Sequence, residues 1–374
     1  MTSYSILLSL GIIVSQIMKI LICGSRGIPA QYGGFESLAQ ALADNFNKDE
    51  HVAVVTGFTS EIKVPVVNQA SGNISYRVPA IGPRFVQNFL CTWKATSDLD
   101  AEHNFDAVIV LNDVNYFVAR KYWKKEIRTV LHLDGAEAKR SGLPFIGKFA
   151  HWFFRRLAIK SDIPLVVDSV AIKEDMKLSS QKAAVISYAP HNDEAKKPEY
   201  KNIALEPKGF FVAIARFVDE NQILQLIDGY SSSGRGEQLL VIGLGTGSKK
   251  YETRAIEAAL SNENVHVLPK NYNRAEINWL LQNAKGYIHG HSVGGTNPIL
   301  VDARLHAQLI LSHDNPYNRE NNGRKEHFWS NNDQLTNLLK SIDSLKVSDE
   351  VSDYGLDSWE TIALQYLELL TKRD

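Results

Sequence analysis

Two series of short apolar runs alternate with helical patterns along this chain, and that alternation confines it to parallel α/β architecture. The first series has strand-like runs at Ile20–Cys23, Val52–Thr56, Ala107–Leu111, Thr129–Leu133 and Leu165–Val167, with helical patterns at Glu36–Asn45 and Phe145–Lys160. The second has runs at Phe210–Ile214, Leu239–Ile242, Val265–Leu268, Gly286–Ile288 and Leu309–Leu311. Its helical patterns fall at Asn221–Tyr230, Tyr251–Leu260, Arg274–Asn283 and Pro298–His306. Between the two series lies a polar stretch carrying Pro190, Pro198 and Pro207, the composition of a linker. A length of 374 residues exceeds one ordinary core. The expectation is two doubly wound domains facing across a cleft, with ligands at the carboxyl ends of the strands.

A hydrophobic content of 44% and a charged content of 22% are those of a globular protein. The net charge of −1 implies no nucleic-acid partner, although residues up to 190 carry about +4 and the remainder about −5. Two cysteines, Cys23 and Cys91, cannot support a disulfide framework, so a cytoplasmic setting is expected. The first 18 residues have no charged side chain, lack the positive n-region of a signal peptide, and are interrupted by Ser9, Ser15 and Gln16. They read as a dispensable leader ahead of the strand beginning at Met18.

The segment with most chemistry is His289-Gly290-His291-Ser292-Val293-Gly294-Gly295-Thr296-Asn297-Pro298. Asn297 suits an N-cap and Pro298 the first helical turn. Gly294 and Gly295 let backbone amides approach a ligand, and the helix start adds positive partial charge. Together these make an anion cradle suited to phosphate, or else simply a well-capped helix. Asp302 follows one turn later, where it can accept ribose hydroxyls or favour the helix start. Arg216 stands just past the run Phe210–Ile214, placed to grip a diphosphate bidentately.

In the first domain, Gly24–Glu36 joins the first strand to its helix and places Gly33 and Gly34 at the helix start. It lacks the tight dinucleotide-binding turn, which argues against a nicotinamide-dependent oxidoreductase. His132 and Asp134 end a buried-looking strand on one side and can bind sugar hydroxyls or take a proton. His289, His291 and His306 are scattered among strand, loop and helix, so no metal site is expected. Gly243-Leu244-Gly245-Thr246-Gly247 is a further glycine-rich strand exit. From Arg120 to Lys160 there are 11 Lys and Arg against 3 acidic residues, interleaved with Trp123, Phe145, Phe149, Trp152, Phe153 and Phe154. That pattern suits an anionic membrane surface.

Taken together, these segments resemble the GT-B glycosyltransferases of family 4, and most closely a bacterial branch typified by β1,4-rhamnosyltransferases. The resemblance rests on Arg26–Glu36 in the first domain, and on Tyr287–Pro298 and His313-Asp314-Asn315-Pro316-Tyr317-Asn318-Arg319-Glu320 in the second. Trp359–Leu370 resembles the closing helix that packs back across the first domain. The implied organisation is a leader at 1–17, an acceptor-side Rossmann-like domain at 18–190 and a linker at 191–208. A nucleotide-sugar-binding Rossmann-like domain at 209–352 and a closing helix at 353–374 complete it.

The resemblance implies a metal-independent retaining transferase without a cofactor. It would move a hexose, such as L-rhamnose from dTDP-rhamnose, from a nucleoside-diphosphate sugar to a glycan or lipid-linked saccharide at the inner membrane face, in cell-surface polysaccharide synthesis. Arg216 and the amides of Gly294, Gly295, Thr296 and Asn297, beside His291, would hold the diphosphate. Asp302 would hold the ribose, Gly33 and Gly34 would shape the cleft, and Asp134 or His132, with Arg216, would meet the reacting groups. The wider family's pair of glutamates reads Gly294 and Asp302 here, and its lysine five residues after Arg216 reads Asn221. Those departures leave open a non-catalytic nucleotide-sugar-binding paralogue that regulates a partner transferase.

Overall fold

The computed structural model describes residues 17–30, 33–70, 72–101, 103–133, 135, 145–245, 247–320, 326–344 and 356–371. The leader up to residue 16 and the expected site residue Asp134 lie outside these.

The first series folds as β1 (Met18–Cys23), α1 (Gly34–Asn45), β2 (His51–Thr59), β3 (Val66–Ala70), β4 (Asn73–Pro79) and α2 (Arg84–Asp100). It continues with β5 (Ala107–Leu111), α3 (Tyr116–Lys124), β6 (Arg128–His132), α4 (Phe145–Lys160), β7 (Leu165–Val167), α5 (Val170–Asp175) and β8 (Ala183–Val185). The strands form one sheet in the order β3-β4-β2-β1-β5-β6-β7-β8, parallel except for β3. The second series is β9 (Phe210–Ala215), α6 (Ile223–Ser232), β10 (Gln238–Gly243), α7 (Lys249–Ala259), β11 (Val265–Leu268), α8 (Arg274–Asn283) and β12 (Gly286–His289). After it come α9 (Pro298–His306), β13 (Ile310–His313), α10 (Pro316–Arg319), β14 (Glu326–Trp329), α11 (Asn332–Lys340) and α12 (Trp359–Thr371). Its parallel sheet runs β11-β10-β9-β12-β13-β14.

Helices cover both faces of each sheet, so the central strands are apolar throughout rather than alternating. Every residue of β5 is buried, and in β1 Ile20 and Ile22 face one cluster while Leu21 and Cys23 face the other. Burial pushes the Cys23 thiol far above its ordinary range, and both cysteines are free. The elements that the apolar runs did not foretell are those without a long apolar signal. β3 and β4 form a short edge hairpin around Gly72, and β14 is held by Trp329, whose Nε1 donates to the Leu311 carbonyl at 3.1 Å.

The chain's last helix leaves the second sheet and crosses to the first. Ile362, Ala363, Tyr366 and Leu370, one face of α12, are buried against Ile20, Leu38 and Leu42. At about 1.5–3 kcal/mol for each large apolar side chain buried, this is a firm attachment rather than a loose tail.

α4 is held by polar anchors as well: His151 Nδ1 lies 2.6 Å and Arg155 Nη2 2.8 Å from the carboxylate of Asp113, which is fully buried beyond β5. Phe154, Leu157 and Ala158 pack on the core beside them, whereas Phe145, Phe149, Trp152 and Phe153 are exposed.

Candidate functional site

The run after β12 does what its residues dictate. Asn297 is the N-cap of α9, its side chain accepting from the Ile299 amide at 3.0 Å, with Pro298 in the first turn. Such a cap is worth about 1 kcal/mol. Gly294 takes φ 130°, a backbone shape that other residues rarely adopt. Among the described residues, no group accepts from the amides of Gly294, Gly295, Thr296 or Asn297. Four successive N–H groups without such an acceptor therefore lead into the positive end of α9, a setting suited to an anion.

This loop meets the first domain directly. Thr296 Oγ1 donates to the Asp168 carbonyl at 2.8 Å, at the carboxyl end of β7. A Cβ on Gly295 would fall 2.2 Å from Asp168 Oδ1 and 2.5 Å from Ile172 Cδ1. Gly135, just past β6, faces it: a Cβ there would lie 3.2 Å from the Gly295 amide nitrogen. Glycine at both positions is what lets the two domains touch at the cradle.

Arg216 follows β9, half-buried, and its carbonyl accepts from Asn221 Nδ2 at 2.8 Å. Since that amide group donates, the Asn221 Oδ1 is an acceptor, and His291 Nδ1 gives it a proton at 2.7 Å. Asn221 thus latches the Arg216 loop to the cradle loop. Gly290 permits this approach, because a Cβ there would sit 2.2 Å from the Asn221 carbonyl. Asn315 and Asn318 each donate to the His291 carbonyl at 2.9 Å, which ties the cradle to α10. His289 lies beneath, fully buried, 2.9 Å from the Tyr287 hydroxyl. Burial first, then the charges of His291, Arg304 and His313, hold its pKa well below the ordinary value, so the ring is neutral.

Asp302 departs from the expected ribose contact. It is fully buried, and Oδ1 accepts from the His191 amide at 2.8 Å and faces His191 Nδ1 at 3.1 Å. Oδ2 is paired with Arg274 Nη1 at 3.1 Å. Three donors occupy the carboxylate and none of its surface reaches solvent, so it has nothing to offer a ligand. Arg274 also reaches Ser37 Oγ of α1 at 3.2 Å, making the group a strut between the domains.

On the first-domain side, Gly33 is the N-cap of α1 and Gly34 its first residue. Gly34 lies under Tyr188, whose hydroxyl oxygen would be 2.9 Å from an added Cβ. His132 ends β6, buried, sharing a 2.6 Å hydrogen bond with Tyr366 of α12 and packing edge-on against Phe35. Burial, with the Asp168 charge second, pushes the Tyr366 hydroxyl well up, so it keeps its proton. His132, Gly33 and Gly34 therefore share one end of the first sheet, beside α12.

The structure gives roles to residues for which sequence reasoning assigned none. Asp168 and Glu320 meet the facing domain, and Asn221, Arg274 and Tyr366 anchor neighbours. Asp168, as a carboxylate just past an apolar strand, carried a usable signal, whereas the others depend on tertiary contacts, those of Asn221 within the second domain and those of Glu320 and Arg274 between the two. The glycines of 243–247 have a packing explanation, since a Cβ on Gly247 would meet the Phe217 backbone at 2.9 Å. Among the described residues, no three His, Cys, Asp or Glu side chains are grouped as metal ligands, and no helix is long and apolar enough to cross a membrane.

Residues 17–189 match a family described as a domain of unknown function, DUF1972. No curated protein sequence matches the chain. Among solved structures, it is similar to sucrose-phosphate synthase from Thermosynechococcus elongatus, with a TM-score of 0.76 at 13% identity over 94% of this chain and 98% of that one. It is also similar to a UDP-forming α,α-trehalose-phosphate synthase from Burkholderia xenovorans in complex with glucose-6-phosphate, TM-score 0.66 at 11% identity, over 95% and 100%. Anabaena HepE in complex with UDP and glucose gives TM-score 0.66 at 14% identity, over 95% and 99%. Two parallel-sheet domains with a C-terminal helix crossing back, matched end to end by these enzymes, make the fold of this chain GT-B.

Proposed function

We propose that this protein is a glycosyltransferase that moves a hexose from a nucleoside-diphosphate sugar to a saccharide acceptor. The observation that carries this is the row of open amides at Gly294–Asn297, set at the start of α9 and facing the first domain. An enzyme of this type must stabilise a leaving diphosphate, and preorganised donors in a closed cleft are the strongest means a protein has of doing so. Arg216, latched through Asn221 to the same loop, adds the permanent charge. His132 and Asp134 are assigned to the reacting sugars, with Asp168 joining them from the end of β7. Gly33 and Gly34 shape the acceptor side.

The donor domain is 209–352 and the acceptor domain 18–190, joined by 191–208. Transfer proceeds with retention and without a metal, the positive charge coming from Arg216, the amides and α9. dTDP-L-rhamnose is the donor to test first, with a lipid-linked saccharide of cell-surface polysaccharide synthesis as acceptor, presented to a cytoplasmic protein held peripherally through 120–160. The sequestration of Asp302 favours one alternative, a nucleotide-sugar-binding regulator without turnover.

Thermal unfolding with nucleoside diphosphates and their sugars tests the donor site. A ligand at 100 times its dissociation constant raises stability by about 2.7 kcal/mol. Stabilisation with donor hydrolysis or transfer, lost in Arg216→Ala, supports the enzyme; stabilisation without turnover supports the regulator. A flat response to every nucleotide would end both.

A further inference from the structure

The first domain carries an apolar groove outside the donor cleft, with a cavity of about 530 Å³ between α2 and α3. Phe89, Leu90, Trp93 and Phe117 line it, and Arg120 and Lys124 stand at its rim. Leu90 and Trp93 are exposed. Lys121, also at the rim, is engaged by Asp100 at 2.8 Å, whereas Arg120 and Lys124 are exposed and form no ion pair with a described residue.

The groove does not end at α3. Phe89 packs on Trp93 (6.0 Å between rings) and on Phe154 (6.3 Å), Phe154 on Phe153 (5.7 Å), and Phe153 on Phe149 (6.3 Å), which in turn meets Trp152 (5.6 Å). A continuous aromatic band thus runs from the groove out along α4. At its outer end Phe145 is 83% exposed, Phe149 54% and Trp152 50%. A water-facing helix ordinarily buries its apolar side. This one packs Phe154, Leu157 and Ala158 on the core and ties His151 and Arg155 to Asp113, yet leaves Phe145, Phe149, Trp152 and Phe153 exposed on its other side. Arg156 lies over the Trp152 ring at 5.7 Å, setting a cation beside an aromatic plane as an interfacial helix does.

We infer that this face docks on an anionic lipid bilayer, with α4 lying in the headgroup layer and the α2–α3 groove receiving the upper part of one lipid chain whose phosphate meets Arg120 and Lys124. The occupant follows from the combination: the apolar floor excludes a purely ionic ligand, and the rim cations, engaged by no described carboxylate, select a negative headgroup. Contiguity with α4 requires an extended apolar medium rather than a single small molecule. The inference deepens the membrane-surface part of the proposed function and depends on that part alone. The face is built from α2, α3 and α4 of the first domain, whereas the cradle follows β12 of the second.

The test is flotation of the full chain with vesicles of phosphatidylcholine alone and of an equal mixture with phosphatidylglycerol, without donor. The wild type binds the mixed vesicles, and binding weakens as salt rises. Joint Arg120→Glu and Lys124→Glu substitution weakens it at least about 25-fold, from about fivefold per charge near the surface. Phe149→Ser with Trp152→Ser also releases the protein. Chain-brominated phosphatidylcholine added to the mixture quenches tryptophan fluorescence, and Trp93→Phe removes part of that quenching.

Equal binding to neutral vesicles would overturn the headgroup assignment, and quenching unchanged by Trp93→Phe would overturn the groove. Absence of vesicle binding, with self-association abolished by Phe149→Ser and Trp152→Ser, would instead make this face a contact between copies and sink the inference. Each variant's thermal shift with nucleotide checks folding. It also separates the two readings: a wild type that binds vesicles but no nucleotide refutes the transferase and not the docking face.

Discussion

Glu320 of the second domain places Oε2 2.7 Å from the Ala171 amide, and its Oε1 2.5 Å from that of Val170, so its carboxylate sits across the opening amides of α5 in the facing domain. Ser169 satisfies the next one, donated by Ile172 at 3.2 Å. The helix start beside the cleft is thereby filled by protein, while the amides of Gly294 to Asn297, just ahead of the capped α9, have no acceptor among the described residues. Glu320 is a clasp between the domains. Hydrogen bonds to a charged group contribute about 1.5–3 kcal/mol. Glu320→Ala is therefore expected to open the cleft: the radius of gyration from solution scattering increases and donor affinity falls about tenfold or more. An unchanged scattering curve and unchanged affinity would remove the clasp role.

Gly295→Ala tests the contact between the domains at the cradle. The new Cβ would collide with Asp168 and Ile172, so the domains cannot close as they do in the wild type. Folding of each sheet should survive, because the clash lies between them. The expected outcome is a melting temperature within a few degrees of wild type with at least about a hundredfold loss in kcat/KM, since misplacing reacting groups by about 1 Å costs that much. Retained activity would show that closure at Gly295 is dispensable.

Asp302 distinguishes a strut from a ligand contact. Removing one partner of a buried charge pair costs about 3–5 kcal/mol. Asp302→Ala leaves Arg274 and His191 without their acceptor, so a fall of several degrees in the melting temperature is expected. Donor affinity, measured below that transition, should change little. The reverse pattern, full stability with lost affinity, would restore the ribose role.

Acid sensitivity has a specific source at the base of the second domain. Arg235, the largest influence, and Lys285 hold the Glu237 carboxyl at about 2, below its ordinary 4.5. A carboxylate lowered on folding stabilises above its unfolded pKa and loses that contribution as pH falls through the folded value. Stability from this cluster is thus complete above about pH 4.5 and is lost between there and about pH 2. Urea unfolding midpoints for Glu237→Gln should lie below wild type at neutral pH and converge with it toward pH 2. Parallel curves across that range would assign the acid sensitivity elsewhere.

Much of the architecture was legible because burial on both sheet faces forces continuous apolar strands, as in Ala107–Leu111 and Leu165–Val167. Boundaries shifted where pairing extended a strand beyond its apolar run: β2 continues to Thr59 through its ladder with β4, ending opposite Pro79. The cap of α9 was equally legible, since Asn297 and Pro298 act through their own backbone. Local rules acted on local residues and succeeded.

Asp302 was not legible in the same way. Its place one turn into α9 allowed either a ligand or a protein partner, and the choice lay with His191 and Arg274, 111 and 28 positions away. Periodicity and backbone freedom alone determined the two parallel sheets and a glycine loop feeding a capped helix, while the helix that closes back was implied by the resemblance of Trp359–Leu370. Only the tertiary structure decided which carboxylates are spent as clasps and struts and which amides stay open, because a charged group's role is set by whatever the fold brings within about 3 Å of it.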